Sequence, residues 1–165
     1  MSTNIVSGHH AGSTSSLRTF DIPQSATRFL VPIGRTLLSL HLILGGFAHF
    51  KSSTVAYAAS AGVPLAGFLV PAAGVLAVVG GLMVALGFKA RIGAAMIAAF
   101  LIPVTLTMHA FWSAADPQMA MFQQLFFLKN MSMLGGALLV MYFGSGPLSL
   151  DAKLGMSVRE SEDER

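Results

Sequence analysis

The chain has 165 residues, of which 54% are hydrophobic and only 10% are charged, whereas about a quarter of the residues in a soluble domain are charged. Because it contains no cysteine, it has no disulfide, thiolate zinc site, iron–sulfur cluster, covalently attached haem or CxxC redox centre. Its net charge of +3 comes from basic residues scattered at the ends of apolar segments, which argues against nucleic-acid binding. These features predict an integral membrane protein surrounded by the lipid bilayer.

Residues 1–27 are rich in Ser, Thr and Gly and lack an apolar stretch followed by a cleavage site, which predicts a disordered tail instead of a signal peptide. Four apolar segments follow, each long enough to cross a bilayer as a helix of about 20 residues. We expect one all-α, four-helix membrane bundle over residues 28–151 and a charged tail over residues 152–165. The predicted spans cover about 29–50, 65–88, 92–112 and 121–143.

The first span carries a polar stripe. Arg35, Ser39, Leu42, Gly46 and His49 recur at helical spacing and should face the bundle interior, whereas His41 lies off the stripe. After this span, residues 51–64 have the Gly and Pro content of a loop.

The third span combines a helix breaker with a polar patch. Pro103 at its centre removes a backbone hydrogen bond and should kink the helix. Thr105, His109 and Trp112 are each about one turn apart, and His49 ends the first span at a similar depth. His49, His109 and Trp112 are therefore candidates for a quinone-head pocket, although such residues are also common at a membrane interface. Two histidines without a further carboxylate are a weak metal signal, so we predict no metal site.

The fourth span contains Lys129 and Asn130 within an apolar run. A lysine at the centre of a span costs about 2.5–3.5 kcal/mol on insertion scales, which makes it a functional candidate. All seven Asp and Glu residues lie outside the four spans, so no counter-ion is expected inside the bundle. Arg35 and Lys129 either line a cavity for an anionic or carbonyl-bearing ligand or relay protons, or they anchor the helices by hydrogen bonds to carbonyls and hydroxyls. In a further alternative Lys129 is uncharged, since burial disfavours the charged form of a lysine.

The distribution of basic residues predicts the orientation. Both tails and the turn at 89–91 contain most of the Lys and Arg, and the positive-inside rule then places both termini in the cytoplasm. At about 1.5 Å per residue, His41 and Lys129 should lie near the midplane. Arg35 should lie nearer the cytoplasm, and His49 and His109 nearer the outer face.

Several short motifs follow one another in a fixed order: Gly45-Gly46-Phe47, the stretch YAASAGVP at 57–64, LGFKAR at 86–91, His109 with Phe111-Trp112, FLKN at 127–130 with Gly135-Gly136, and GSGPLSLD at 144–151. Together with Arg35, they resemble the DoxX family of four-helix proteins. The resemblance implies a multi-pass protein of the bacterial inner membrane, linked to quinone or thiol redox systems. The chain departs from that family at Ala77, where a glutamate is common, and at His49, where a lysine is common.

Two functional hypotheses follow. In the first, the bundle is a redox-associated component that holds a quinone while a membrane or soluble redox partner supplies electrons, and whether this chain is itself catalytic stays open. In the second, it is a non-catalytic scaffold or assembly subunit whose Arg35 and Lys129 meet carboxylates of a partner or of a second copy. The candidate ligand-binding residues are Arg35, His49, His109, Trp112, Lys129 and Asn130.

Overall fold

The computed structural model describes residues 27–155, which are helical with short connections and contain no strand. Four helical segments in this range are long and apolar enough to cross a membrane: Leu30–Phe50, Ala66–Leu86, Ala90–Ser113 and Pro117–Phe143. The predicted all-α, four-span membrane architecture is therefore confirmed. The tail predicted for residues 1–27 and most of that predicted for 152–165 lie outside the described residues.

We number the α-helices in chain order. They are α1 (Leu30–Gly46), α2 (Ser52–Ser60), α3 (Ala66–Leu86), α4 (Ala90–Met108), α5 (Pro117–Phe143) and α6 (Leu150–Lys153). One 3₁₀ turn, Phe47–Phe50, continues α1, and another, Phe111–Ser113, follows α4.

Two connections differ from the prediction. The fourth span begins at Pro117 instead of near 121, because the side chain of Asp116 accepts a hydrogen bond from the Met119 N–H at 2.8 Å and caps the helix. Pro117 occupies the first turn, where its missing N–H is tolerated. The connection at 51–64 is not all loop, since α2 occupies Ser52–Ser60 and includes Tyr57.

The third span is interrupted near its end. Pro103 lies inside the continuous helix α4, but the helix stops at Met108 and His109 leaves the helical region with φ −120° and ψ 35°. The helical spacing that was used to group His109 with Trp112 therefore does not apply beyond Met108.

The helices pack in the order α1, α3, α4, α5, with broad contacts between these neighbours and only slight contact between α5 and α1. Small residues allow the central pair to approach closely: a Cβ added at Gly80 would lie 2.8 Å from the Gly93 carbonyl oxygen. The buried core between the spans includes Leu42, Ala77, Val84, Ile97 and Leu101. Because α1 and α5 scarcely meet, the bundle has one weakly closed side, which we call the α1–α5 seam.

Candidate functional site

A cavity of about 310 Å³ lies beside the α1–α5 seam. Its walls come from α1, α2, α4 and α5 and combine apolar side chains with four basic ones. The lining residues are His41, Leu42, Gly45, Gly46, His49, Thr54, Tyr57, Phe100, Val104, Met108, His109, Gln123, Phe126, Lys129, Asn130 and Met133. No Asp or Glu is among them.

Lys129 and His41 form a hydrogen bond across the seam. Lys129 Nζ lies 2.9 Å from His41 Nε2 and 5.2 Å from the centre of the Phe126 ring. A lysine ammonium has no lone pair, so it donates and the unprotonated Nε2 of His41 accepts. His41 is exposed on the outside of the bundle although it also lines the cavity. The cavity therefore has an opening on the outside of the bundle, between α1 and α5.

The Lys129–His41 pair was missed by sequence reasoning. Helical spacing placed His41 off the polar stripe of α1, and that part is correct, because the stripe residues Arg35, Ser39 and Leu42 are buried while His41 is exposed. The signal that could have found this pair was the predicted depth of the two residues in the membrane. Both residues were expected near the midplane, and residues at equal depth on adjacent helices can meet.

The other two histidines of the cavity are held by acceptors on their own or a neighbouring helix. His109 Nδ1 lies 2.8 Å from the Gln123 Oε1, and His49 Nδ1 lies 3.2 Å from the Gly45 carbonyl oxygen. Since amide and carbonyl oxygens only accept, Nδ1 carries the hydrogen in each ring. In the neutral tautomer, Nε2 is then left as an acceptor.

Asn130 lines the cavity but its amide is engaged in the structure. Asn130 Nδ2 donates to Thr105 Oγ1 at 3.0 Å, and the two residues are 3% and 0% exposed. This bond ties α5 to α4 beside the cavity. Among the predicted ligand-binding residues, Asn130 therefore joins His49, His109 and Lys129 at one site.

Arg35 and Trp112 lie elsewhere. Trp112 is 61% exposed and packs edge-on against the rings of Phe111 and Phe127. The guanidinium of Arg35 is buried and donates to the carbonyl oxygens of Ser145 and Leu148, the latter at 3.1 Å. Neither residue lines the cavity.

Asp151 lies outside the four spans, as the sequence indicated, but its carboxylate is close enough to Arg35 to interact with its charge. It folds back to the α3–α4 turn, where its oxygens accept hydrogen bonds from the Ser145 hydroxyl and from the N–H groups of Lys89 and Ala90, the latter two at 2.8 and 3.4 Å. Burial alone would raise the pKa of Asp151, but these hydrogen bonds and the charge of Arg35 outweigh it and hold the pKa below its usual value. We call residues 144–151 with Arg35 the C-terminal clasp.

Gly87 makes the C-terminal clasp possible. It ends α3 with φ +64°, a conformation that favours glycine. A Cβ at this position would also clash with the Arg35 guanidinium and with Ser149. The LGFKAR motif at 86–91 is therefore the surface on which residues 144–151 pack.

No group of three or more His, Cys, Asp or Glu side chains that could hold a metal ion occurs within residues 27–155.

The sequence comparison decides the family. A family model described as the SURF4 family matches residues 19–155, which include all four spans, the cavity and the C-terminal clasp. The chain belongs to the SURF4 family. No solved structure matches it.

Membership of the SURF4 family corrects the resemblance to DoxX, which was wrong. The motifs that carried that resemblance are glycine helix ends, a basic turn and aromatic span ends. Such features meet needs shared by many four-span proteins, so their order was a weak guide to family. The bacterial inner-membrane location rested on the same resemblance. The four spans support a multi-pass membrane protein of the SURF4 family.

Proposed function

We propose that this SURF4-family protein binds a lipid-soluble amphipathic molecule in the cavity and admits it from the bilayer through the α1–α5 seam. The observation that carries the proposal is the position of the Lys129–His41 bond, which bridges the seam near the middle of both spans, where α1 and α5 otherwise scarcely touch.

Access from the lipid follows from the exposure of His41. A side chain that both lines a cavity and faces outwards marks an opening, and in a membrane protein this opening faces hydrocarbon. A water-soluble ligand would not concentrate there, whereas an amphipathic molecule with an alkyl chain would. One hydrogen bond to a charged group is a modest barrier, worth about 1.5–3 kcal/mol net, so thermal motion can open it.

The cavity wall supports binding of a polar head. Lys129 supplies a cation, Phe100 and Phe126 supply aromatic faces, and apolar side chains fill much of the remainder. Ligand sites typically have this combination of apolar lining with a few placed polar groups. The quinone of the redox-associated hypothesis is one molecule of this kind, with carbonyl oxygens that accept from Lys129.

The scaffold hypothesis was based on Arg35 and Lys129, and Arg35 no longer supports it. Arg35 has acceptors within the chain and does not need a partner carboxylate. Lys129 is still compatible with a partner, since its bond to His41 supplies no counter-charge. The proposed ligand-binding function and the scaffold function thus differ in what should occupy the seam.

Native mass spectrometry of the protein, gently extracted from its own membranes, tests the proposal. Gly45 lines the cavity and has no atom within 4 Å of an added Cβ, so Gly45→Phe should fill the cavity without clashing at its base. We expect a bound small molecule in the wild type and in the control Ser132→Ala, which lies on α5 outside the cavity. That molecule should be lost in Gly45→Phe and strongly reduced in Lys129→Met.

A small molecule that persists equally in Gly45→Phe would contradict the proposal. So would a wild-type protein that carries no small molecule but retains a second protein chain through Lys129, which is the outcome that the scaffold hypothesis predicts.

A further inference from the structure

The cavity wall contains several basic side chains and no acidic one. His41, His49, His109 and Lys129 are basic, and no lining residue is acidic. Within the described part of the chain, the nearest identified polar partner of the Lys129 ammonium is the neutral ring of His41. A cation without a counter-charge near the middle of a membrane span is costly, and an anionic group bound directly beside it would lower that cost.

The histidine tautomers favour a ligand that can donate a proton over a ligand that only accepts hydrogen bonds. With Nδ1 of His49 and His109 donating to oxygen, Nε2 of each neutral ring can only accept. A quinone carbonyl is itself an acceptor and gains nothing from such a ring. An acid that carries its proton can donate it to Nε2, and the resulting imidazolium and carboxylate attract each other.

Lys129 and His109 are neighbours across one aromatic ring. Lys129 Nζ lies 5.2 Å from the centre of Phe126, and the His109 ring lies 5.4 Å from the same centre. Gln123, which accepts a hydrogen bond from His109, lies one turn before Phe126 on α5. Gln123, Phe126 and Lys129 therefore all line the cavity. Both bases therefore lie beside the same aromatic ring of the cavity wall.

Resting on the proposed function, we infer that the natural ligand of the cavity is an amphipath with an acidic head, which Lys129 and His109 hold as its anion. The acid enters the seam in its neutral form. Its O–H bond breaks and an Nε2–H bond forms on His109, so the acid–histidine pair stays neutral. The cavity keeps one net positive charge, now shared between two cations and the anion that lies between them. The ammonium of Lys129 has two further N–H donors beyond the one on His41, and these bind the anionic oxygens.

Ligand-dependent thermal unfolding of the full-length protein in a nonionic detergent tests this inference. The probes are oleic acid, oleyl alcohol as its uncharged match, oleoyl lysophosphatidate as a phosphate head and decylubiquinone. We expect oleic acid or lysophosphatidate to raise the unfolding midpoint and oleyl alcohol and decylubiquinone to leave it nearly unchanged. Whichever acid is stronger identifies carboxylate or phosphate as the head.

Two variants and a control test which residues bind the acidic head. Lys129→Met should weaken binding of the acid at least tenfold, and His109→Phe should weaken it while leaving the unfolding midpoint without ligand close to the wild-type value. Ser132→Ala is the matched control and should bind as the wild type does. Retention of full affinity by His109→Phe would remove His109 from the inference.

Failure of this inference differs from failure of the proposed function. If oleyl alcohol or decylubiquinone stabilises the wild type as strongly as the acids, and Gly45→Phe abolishes that effect, the cavity binds amphipaths but not through an acidic head. If no probe shifts the wild type and native mass spectrometry finds no bound small molecule, both proposals are overturned.

Discussion

One buried polar pair in this bundle depends on a single hydrogen bond between two side chains. Asn130 and Thr105 are nearly inaccessible and bond to each other between α5 and α4. Inside a bilayer neither group can turn to bulk water, so losing one partner strands the other. The same pairing that satisfies the groups also fixes the spacing of the two helices beside the cavity.

We predict that Thr105→Val destabilises the protein by about 1–2 kcal/mol, because the amide of Asn130 then loses its acceptor. The double substitution Thr105→Val with Asn130→Leu should cost less than Thr105→Val alone, since no polar group is left unpaired. Unfolding in a detergent titration measures both. If the double variant is the less stable of the two, the hydrogen bond is not the source of the effect.

Asp151 contributes stability that depends on pH. Its pKa is lowered in the folded protein, so its contribution is present at neutral pH and is lost as the pH falls through the lowered pKa. We predict that Asp151→Asn lowers the unfolding temperature at pH 7. The difference from the wild type should shrink as the pH falls below about 4, where the carboxyl group of the unfolded chain begins to take up protons. A difference that stays constant down to pH 2 would show that the carboxylate charge is unimportant in the clasp.

At the scale of the helices, glycine positions differ sharply in what they do. Gly80 and Gly93 let α3 and α4 approach until each backbone nearly touches the other, which is how helices associate tightly in lipid. Gly136 allows Leu38 of α1 to pack on α5, whereas its neighbour Gly135 has no atom within 4 Å of an added Cβ. Of the pair Gly135-Gly136, only Gly136 therefore admits a neighbouring helix.

We predict that Gly80→Ala costs about 1–3 kcal/mol, because its Cβ would overlap the Gly93 backbone and force α3 away from α4. Gly135→Ala is the matched control. It should be neutral or should stabilise the protein by up to about 1 kcal/mol through the higher helix propensity of alanine. Equal losses in the two variants, measured by the same unfolding assay, would contradict this account of the α3–α4 packing.

At the scale of the whole molecule, the start of α1, the α3–α4 turn and α6 lie at one end of the bundle, while α2 and the Phe111–Ser113 turn lie at the other. The basic residues Lys89, Arg91 and Lys153 belong to the first end. The positive-inside rule predicts that this end is cytoplasmic. The seam and its cavity would then open from the half of the membrane nearer the outer face.

The absence of cysteine makes this orientation easy to test, since a single introduced thiol is the only one present. In sealed vesicles of the protein's own membrane with the cytoplasmic side outwards, we expect Lys153→Cys to react with a maleimide that cannot cross membranes. Ser53→Cys, at the start of α2, should react only after the vesicles are permeabilised. The reverse pattern would invert the predicted topology.

The four spans were predictable from the amino-acid sequence because each is determined locally. An apolar segment in lipid must satisfy its backbone hydrogen bonds within itself, so length and composition are enough to predict a helix. The buried stripe of α1, with Arg35, Ser39 and Leu42, followed from the same helical period. Errors arose at helix ends, where a single cap such as Asp116 shifted the boundary.

The partners of the charged residues were decided only by the tertiary structure. The sequence alone showed that Lys129 and Arg35 needed partners, but those partners, His41 and the residues of the C-terminal clasp, lie far away in the chain. Which side chains meet depends on which helices are neighbours and how far α1 diverges from α5, and no local period contains that information. The cavity exists for the same physical reason: it is the space left where those two helices fail to pack.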